Sequence, residues 1–217
     1  MKYWDRAWNP INGCRECSEG CLNCIAKKQA EYKLKFKEEY DFHNIHILDN
    51  ILKKPFSKEK EVVMICSQSD LFLPEIKNKM IDAILRKAAF NKQKKFLVIT
   101  KYAERMYNYL SDENLLKRLG NHHFNFNLNN IYFGVTVEMS KYLDRIDFLK
   151  SCKNIKHRFV AFEPLLEPIS VSGYIEDMEF VVVGSESGEN ARKCEKEWID
   201  NIVNECQSKN IEVKVND

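Results

Sequence analysis

The sequence lacks any apolar run close to the roughly 20 residues that a membrane-spanning helix requires. Its first ten residues, MKYWDRAWNP, also lack the apolar core of a secretory signal peptide. Glycine and proline are scarce, with 7 and 5 copies in 217 residues, which excludes collagen-like and low-complexity chains. We therefore expect a cytoplasmic globular protein without a membrane partner, folded as a single domain over residues 1–217.

Two further absences narrow the function. The formal net charge is only +2, so charge alone nominates neither a nucleic acid nor any other partner. Neither a G-x-G-x-x-G fingerprint nor a P-loop occurs, which removes the usual nucleotide-binding signatures of open α/β sheets.

Apolar, β-branched segments alternate with helix-period segments along most of the chain. One strand is predicted before residue 13. Five buried strands follow at 61–67, 95–100, 131–137, 158–162 and 179–185, and a final strand at 211–215. A further segment near residue 46 is only a weak strand candidate. Helices are predicted from Cys24 to about Tyr40, along the apolar stripe Ile76–Ala88 with Pro74 in its first turn, from Tyr102, over 141–150 and over 198–206. Such alternation implies a parallel sheet covered by helices. Since six or seven strands are too few for a closed eight-stranded barrel, we predict an α/β fold with a partial, incomplete parallel βα barrel.

Polar residues collect where the predicted strands end. Examples are Ser69, Thr136, Glu138, Glu163 and Glu186. In parallel α/β proteins the carboxyl ends of the strands form one rim, and ligands bind there. We therefore expect a polar pocket at this rim, where Lys101 and Arg105 would meet an anionic group or face solvent.

The segment GCRECSEGCLNC, residues 13–24, places four cysteines within twelve positions. Cys14, Cys17, Cys21 and Cys24 read as C-x2-C-x3-C-x2-C, and they also contain a C-x3-C-x2-C set and a C-x6-C-x2-C set. In a reducing cytosol a dense cysteine cluster binds metal more often than it forms disulfides.

The spacing leaves more than one metal open. A structural zinc site usually separates two C-x2-C pairs by a dozen or more residues, whereas only three residues intervene here. A 4Fe-4S cluster suits closely spaced ligands, because each thiolate binds its own iron. Four thiolates would close the cluster for electron transfer or structure, whereas three would leave one iron open to a substrate or cofactor.

Six blocks spread over nearly the whole chain resemble a known family. They are WNPINGC…SEGCLNC, SQSDLFLPE (67–75), ITKYAERM (99–106), IYFGVTVE (131–138), FEPLLEPI (162–169) and GSESGENAR (184–192). In order and separation they are similar to an uncharacterised phage-associated three-cysteine-motif family, a distant relative of the radical S-adenosylmethionine enzymes. The C-x3-C-x2-C spacing is also that of the radical enzymes, although Asn23 replaces the aromatic residue usual before the last cysteine.

This resemblance implies a radical-S-adenosylmethionine-like domain with a 4Fe-4S cluster held by Cys14, Cys21 and Cys24. Cys17 is then an alternative or fourth ligand. An electron donor would reduce the cluster, which would cleave S-adenosylmethionine to a 5′-deoxyadenosyl radical. The phage association suggests nucleic acid or a nucleotide-derived group as substrate. The competing hypothesis is a non-catalytic iron–sulfur or zinc protein that binds nucleic acid or a protein partner.

The same interpretation assigns roles to residues at the strand ends. The expected cofactor-binding residues are Ser69, Thr136, Glu138, Glu163, Glu186 and Arg192. Ser69 or Thr136 would bind the methionine part, and a carboxylate such as Glu138 or Glu163 would bind the ribose hydroxyls. Glu186 and Arg192 would orient substrate or cofactor, or would form a local ion pair that closes a loop.

Overall fold

The structure is a computed structural model that describes residues 3–34, 41–120 and 126–216. The described residues form the strands β1 (Arg6–Trp8), β2 (Ile11–Asn12), β3 (His46–Ile47), β4 (Val62–Ile65), β5 (Lys95–Thr100), β6 (Ile131–Thr136), β7 (His157–Phe162), β8 (Phe180–Gly184) and β9 (Glu212–Asn216). They also form the helices α1 (Ile25–Leu34), α2 (Asp49–Lys53), α3 (Asn78–Phe90), α4 (Ala103–Leu110), α5 (Leu115–Gly120), α6 (Asp144–Ser151) and α7 (Lys196–Ser208). Short 3-10 helices lie at Glu19–Cys21 and Ser140–Tyr142.

Seven strands build one parallel sheet in the order β1-β4-β5-β6-β7-β8-β9. Each strand pairs with the sheet strand that follows it in the chain, so every crossover advances in the same direction. Since such crossovers are right-handed, they place the helices on one face of the sheet. The sheet therefore curls into a half-barrel whose edges, β1 and β9, do not pair with each other. The predicted α/β fold with a partial parallel barrel is confirmed, with seven strands.

The two faces of the sheet bury separate apolar clusters. The larger cluster joins the outer face to the helices and includes fully buried residues such as Ile84, Leu85 and Phe133. The smaller cluster fills the inner face with Met64, Leu97, Phe159, Ala161, Phe180 and Val182. The Tyr3 ring, just before β1, lies 6.5 Å from the rings of both phenylalanines of this inner cluster. The inner face is thus filled by side chains below the carboxyl ends of the strands.

The helices differ from the prediction in detail. Helix α3 begins at Asn78 and not at Pro74, because residues 70–76 form successive turns that bury Leu71, Phe72, Leu73 and Ile76. Asp70 fixes the first of these turns by accepting a hydrogen bond from the Phe72 N–H at 2.9 Å. Neither α2 nor α5 was predicted. Helix α1 is confirmed to residue 34, and its predicted extension to about residue 40 lies outside the described residues.

The weak strand near residue 46 is confirmed as β3, which pairs antiparallel with β2 outside the main sheet. Across residues 3–34, 41–120 and 126–216, no helix is long and apolar enough to cross a membrane.

Candidate functional site

A cavity of about 400 Å³ lies at the carboxyl ends of the parallel strands. All four cysteines of the 13–24 loop line it, opposite polar residues that follow β4, β5, β6, β7 and β8. Its floor is formed by side chains of the inner cluster together with Tyr3 and Trp4. The predicted polar pocket at the rim is therefore present, and the cysteine loop covers it.

The turn at Gly13 fixes the position of the first cysteine. Gly13 has φ +83°, and a Cβ atom there would lie 2.4 Å from the Asn44 carbonyl oxygen. Its own carbonyl accepts a hydrogen bond from Ser69 Oγ at 2.5 Å, and the Cys14 N–H donates to the Phe42 carbonyl at 2.8 Å. Only glycine fits this backbone conformation at this distance, which explains why Gly13 precedes Cys14.

The four thiols differ in exposure and acidity. Cys17 is exposed, whereas Cys14, Cys21 and Cys24 are partly buried. Burial, together with the nearby charges of Asp70, Cys24 and Cys21, raises the pKa of Cys14 to about 12. A hydrogen bond from Cys17 lowers the pKa of Cys21 to about 4, against the effect of burial and with help from the Lys101 charge. Cys21 is thus the thiol most ready to act as a thiolate ligand.

A buried carboxylate anchors the middle of the cysteine loop. Glu138, just beyond β6, has no exposed surface. It accepts a hydrogen bond from Ser18 and forms ion pairs with Lys101 Nζ at 2.5 Å and Arg145 Nη1 at 2.7 Å. Burial alone would raise the pKa of Glu138, but the two cations outweigh it and lower the pKa below its ordinary value. We call these four residues the Glu138 clamp.

Gly20 lies directly against the Glu138 clamp. A Cβ atom at Gly20 would lie 2.6 Å from Glu138 Oε1 and 2.7 Å from Lys101 Nζ. The loop therefore reaches the carboxylate only because residue 20 has no side chain.

A second carboxylate anchors the end of the cysteine loop. Glu186, after β8, accepts hydrogen bonds from Asn23 Nδ2 at 2.8 Å and from Arg192 Nε at 2.9 Å. Burial would raise the pKa of Glu186, but the hydrogen bonds from Arg192 and Asn23 outweigh it and lower the pKa to about 2. Arg192 also donates to the Glu19 carbonyl at 2.9 Å. Asn23 thus joins the end of the cysteine loop to Glu186, beyond β8.

Glu163 differs from these two carboxylates. It lines the cavity and accepts a hydrogen bond from Asn216 Nδ2 at 2.6 Å. Burial raises the pKa of Glu163. Across the described ranges no lysine or arginine forms an ion pair with the Glu163 carboxylate.

The predicted cofactor-binding residues fall into two groups. Four of them line the cavity: Ser69, Thr136, Glu163 and Glu186. The other two, Glu138 and Arg192, lie behind the loop and are engaged in ion pairs. Glu186 and Arg192 form the local ion pair that the sequence left open as one of two roles. Lys101, expected to meet an anion or face solvent, pairs with Glu138 and also lines the cavity.

Sequence reasoning missed several residues that hold the loop in place: Ser18, Gly20 and Arg145. The helical position of Arg145 gave no sign that it pairs with a strand-end carboxylate seven residues earlier. Gly20, within SEGC, was the one available signal of these contacts, since a glycine often marks a place where the backbone approaches another group closely.

The donor set has the chemistry of a thiophilic metal site, since four thiols line one cavity. Among the described residues, no three or more His, Cys, Asp or Glu side chains converge in the arrangement that holds a single metal ion. A cluster with iron at separate corners needs no such convergence on one point, and the partly buried Cys14, Cys21 and Cys24 suit it.

The fold and the site together define a class of α/β protein: a parallel half-barrel with a cysteine-lined cavity at its carboxyl rim. The chain belongs to DUF5131, a family of proteins of unknown function whose model matches residues 1–214. Comparison with curated proteins and with solved structures found no match. Since the family description names no activity, the phage association and the relationship to radical S-adenosylmethionine enzymes stay predictions.

Proposed function

We propose that this protein is an iron–sulfur enzyme of the radical S-adenosylmethionine type, acting in a reducing cytoplasm. The observation that carries the proposal is the loop of four thiols covering a polar cavity at the rim of a parallel half-barrel. In the proposed reaction, the reduced 4Fe-4S cluster supplies one electron to S-adenosylmethionine, which is cleaved to methionine and a 5′-deoxyadenosyl radical.

Cys14, Cys21 and Cys24 are the proposed cluster ligands. These three thiols share partial burial, which shields a cluster from water, whereas Cys17 is exposed. Gly13, Glu138 and Glu186 hold the loop at its start, middle and end. Cys17 remains the alternative or fourth ligand, because the C-x3-C-x2-C spacing includes it and it lines the same cavity.

The cavity suits a ligand that is both aromatic and polar. Its volume of about 400 Å³ falls within the roughly 300–1,000 Å³ typical of small-molecule sites. Tyr3 and Trp4 offer aromatic surface on the floor, and strand-end hydroxyl and carboxylate groups form the walls. An adenosine derivative with a charged tail matches this division between stacking and hydrogen bonding.

Glu163 is the better candidate of the two carboxylates considered for the ribose hydroxyls. Its carboxylate faces the cavity with free acceptor capacity, whereas Glu138 is fully buried and already binds two cations. Thr136, at the end of β6, adds a hydroxyl to the same wall. Ser69 donates to the Gly13 carbonyl, so its contribution to ligand binding is to position the cysteine loop.

The proposal is tested by preparing the full chain without oxygen. We expect a brown protein with iron and sulfide in equal amounts, which after dithionite reduction cleaves S-adenosylmethionine to 5′-deoxyadenosine, measured by chromatography. A colourless protein with one bound zinc would establish the non-catalytic alternative. An iron–sulfur cluster that leaves S-adenosylmethionine intact would remove the enzymatic part of the proposal.

Two matched variants test the ligand set. Cys14→Ser should abolish cluster binding, because it removes a partly buried ligand fixed by the Gly13 turn. Cys17→Ser, the same chemical change three residues away, should retain the cluster and the cleavage activity. The reverse pattern would assign the cluster to Cys17, Cys21 and Cys24 instead.

The substrate belongs to the same proposal. The resemblance to phage-associated proteins suggests nucleic acid or a nucleotide-derived group. Incorporation of label from deuterated candidate substrates into 5′-deoxyadenosine would identify the hydrogen that the radical abstracts.

A further inference from the structure

Lys101 brings a partly buried positive charge to one sulfur of the cysteine loop. Its Nζ lies 3.7 Å from Cys21 Sγ, 2.9 Å from Ser18 Oγ and 2.5 Å from Glu138 Oε1. The side chain is 17% exposed, and it reaches the cavity from the end of β5. These three contacts hold the ammonium group in place.

The charges of the Glu138 clamp do not cancel. Two cations, Lys101 and Arg145, meet one carboxylate, so the clamp carries a net charge of +1. Of the two cations, Lys101 contacts a cysteine sulfur, whereas Arg145 donates to Glu138 and to the Thr136 carbonyl, each at 2.7 Å. The excess positive charge therefore lies on the cysteine side of the clamp.

We propose that Lys101 is a positioning and tuning residue that hydrogen-bonds to the Cys21 ligand and raises the reduction potential of the cluster. The inference rests on the proposed function, because it requires an iron–sulfur cluster. It does not depend on which ligand set is right, since Cys21 belongs to all of them: the four-cysteine set and both three-cysteine sets.

The physical reason is the change in charge on reduction. Reduction adds one electron to the cluster and makes or breaks no bond to Lys101. An ammonium group and a hydrogen bond at a ligand sulfur stabilise the more negative, reduced state, and both are known determinants of cluster potential. Low exposure strengthens the effect, because little water screens the charge.

The test compares Lys101→Met with Arg145→Met. Each variant removes one cation from Glu138 and leaves the carboxylate paired with the other, so the net charge of the clamp changes equally. The reduction potential is measured by redox titration of the anaerobic holoprotein, followed by electron paramagnetic resonance. We expect Lys101→Met to lower the reduced-to-oxidised ratio at a fixed potential at least tenfold, which is about 59 mV for a one-electron couple.

Arg145→Met serves as the matched control and should change that ratio less than threefold. Equal shifts in both variants would assign the effect to the net charge of the clamp and overturn the role of the Lys101–Cys21 contact. No shift in Lys101→Met would also overturn it. Should Lys101→Met fail to fold, Lys101→Gln, which keeps a polar group near Ser18 and Glu138, takes its place in the same titration.

The two proposals fail in different ways. A wild-type protein without iron and sulfide overturns both of them. A wild-type protein with a cluster whose potential is unchanged in Lys101→Met or Lys101→Gln overturns only the inference about Lys101.

Discussion

Replacing Glu138 with glutamine tests whether the Glu138 clamp stabilises the fold. The substitution keeps the size of the side chain and removes its charge. It leaves the Lys101 ammonium and the Arg145 guanidinium buried against a neutral amide. Only one oxygen of the amide can accept a hydrogen bond, and its NH2 group would face a cation.

The magnitude follows from burial. Glu138 has no exposed surface, and its partners Lys101 and Arg145 are 17% and 8% exposed. Removing one partner of a buried ion pair typically costs 3–5 kcal/mol, because uncompensated charge remains in a poorly solvated site. For a chain of this length, ~1 kcal/mol lowers the melting temperature by about 2–4 °C. Glu138→Gln should therefore lower it by roughly 6–20 °C.

The assay is thermal and urea unfolding of the cluster-free protein at pH 7, followed by circular dichroism. Glu212→Gln is the matched control, because Glu212 pairs with Lys214 at 2.8 Å but is 62% exposed. Exposed pairs contribute little, so this variant should unfold like the wild type. Equal stability of Glu138→Gln and Glu212→Gln would refute the reasoning, since burial would then make no difference to the value of the ion pair.

Three further predictions concern Gly20, Glu186 and Glu163. Gly20→Ala should reduce cluster retention severalfold, measured as iron per chain, because its Cβ would overlap the Glu138 carboxylate; unchanged iron content would contradict the close approach. Since the folded-state pKa of Glu186 is about 2, below the ordinary value of about 4.3, its stabilising contribution is complete above pH 5 and is lost as pH falls towards 2. The free energy of unfolding of Glu186→Gln, measured in urea between pH 5 and 3, should depend less on pH than that of the wild type. An identical pH dependence would contradict the stabilising contribution of ionised Glu186. Because burial raises the pKa of Glu163, ionisation of Glu163 costs stability as pH rises above about 4.3. Glu163→Gln should therefore unfold at equal or higher temperature than wild type at pH 7, and a marked loss of stability would contradict this expectation.

The architecture was predictable because each sheet strand carries its own signal. Segments such as VVVG in β8 are apolar without interruption, as expected of strands buried on both faces. The start of α3 was not predictable from periodicity, because Ile76 is buried in a turn and continues the apolar stripe of the helix. Helix α5 is only six residues long, too short for a periodic pattern to show.

The sequence predicted where the candidate site lies, but not which of its residues contact one another. Polar residues at the ends of the predicted strands indicated the rim where the site lies. The spacing of the four cysteines indicated the loop that covers it. The distinction between Glu163, which faces the cavity, and Glu138, which does not, depends on which cations lie nearby. That distinction arises from long-range contacts such as Lys101 with Glu138, which no local pattern in the sequence encodes.

The anchors of the cysteine loop also constrain the timing of its maturation. Ser18 bonds to a residue 120 positions later, Asn23 to one 163 positions later, and Arg192 reaches Glu19 across 173 positions. During synthesis the four thiols leave the ribosome first, and Glu138, Glu186 and Arg192, which shape the loop, leave later. If the proposed cluster binds here, iron and sulfide delivered before these residues have folded would meet an unshaped loop, so loading would follow their folding.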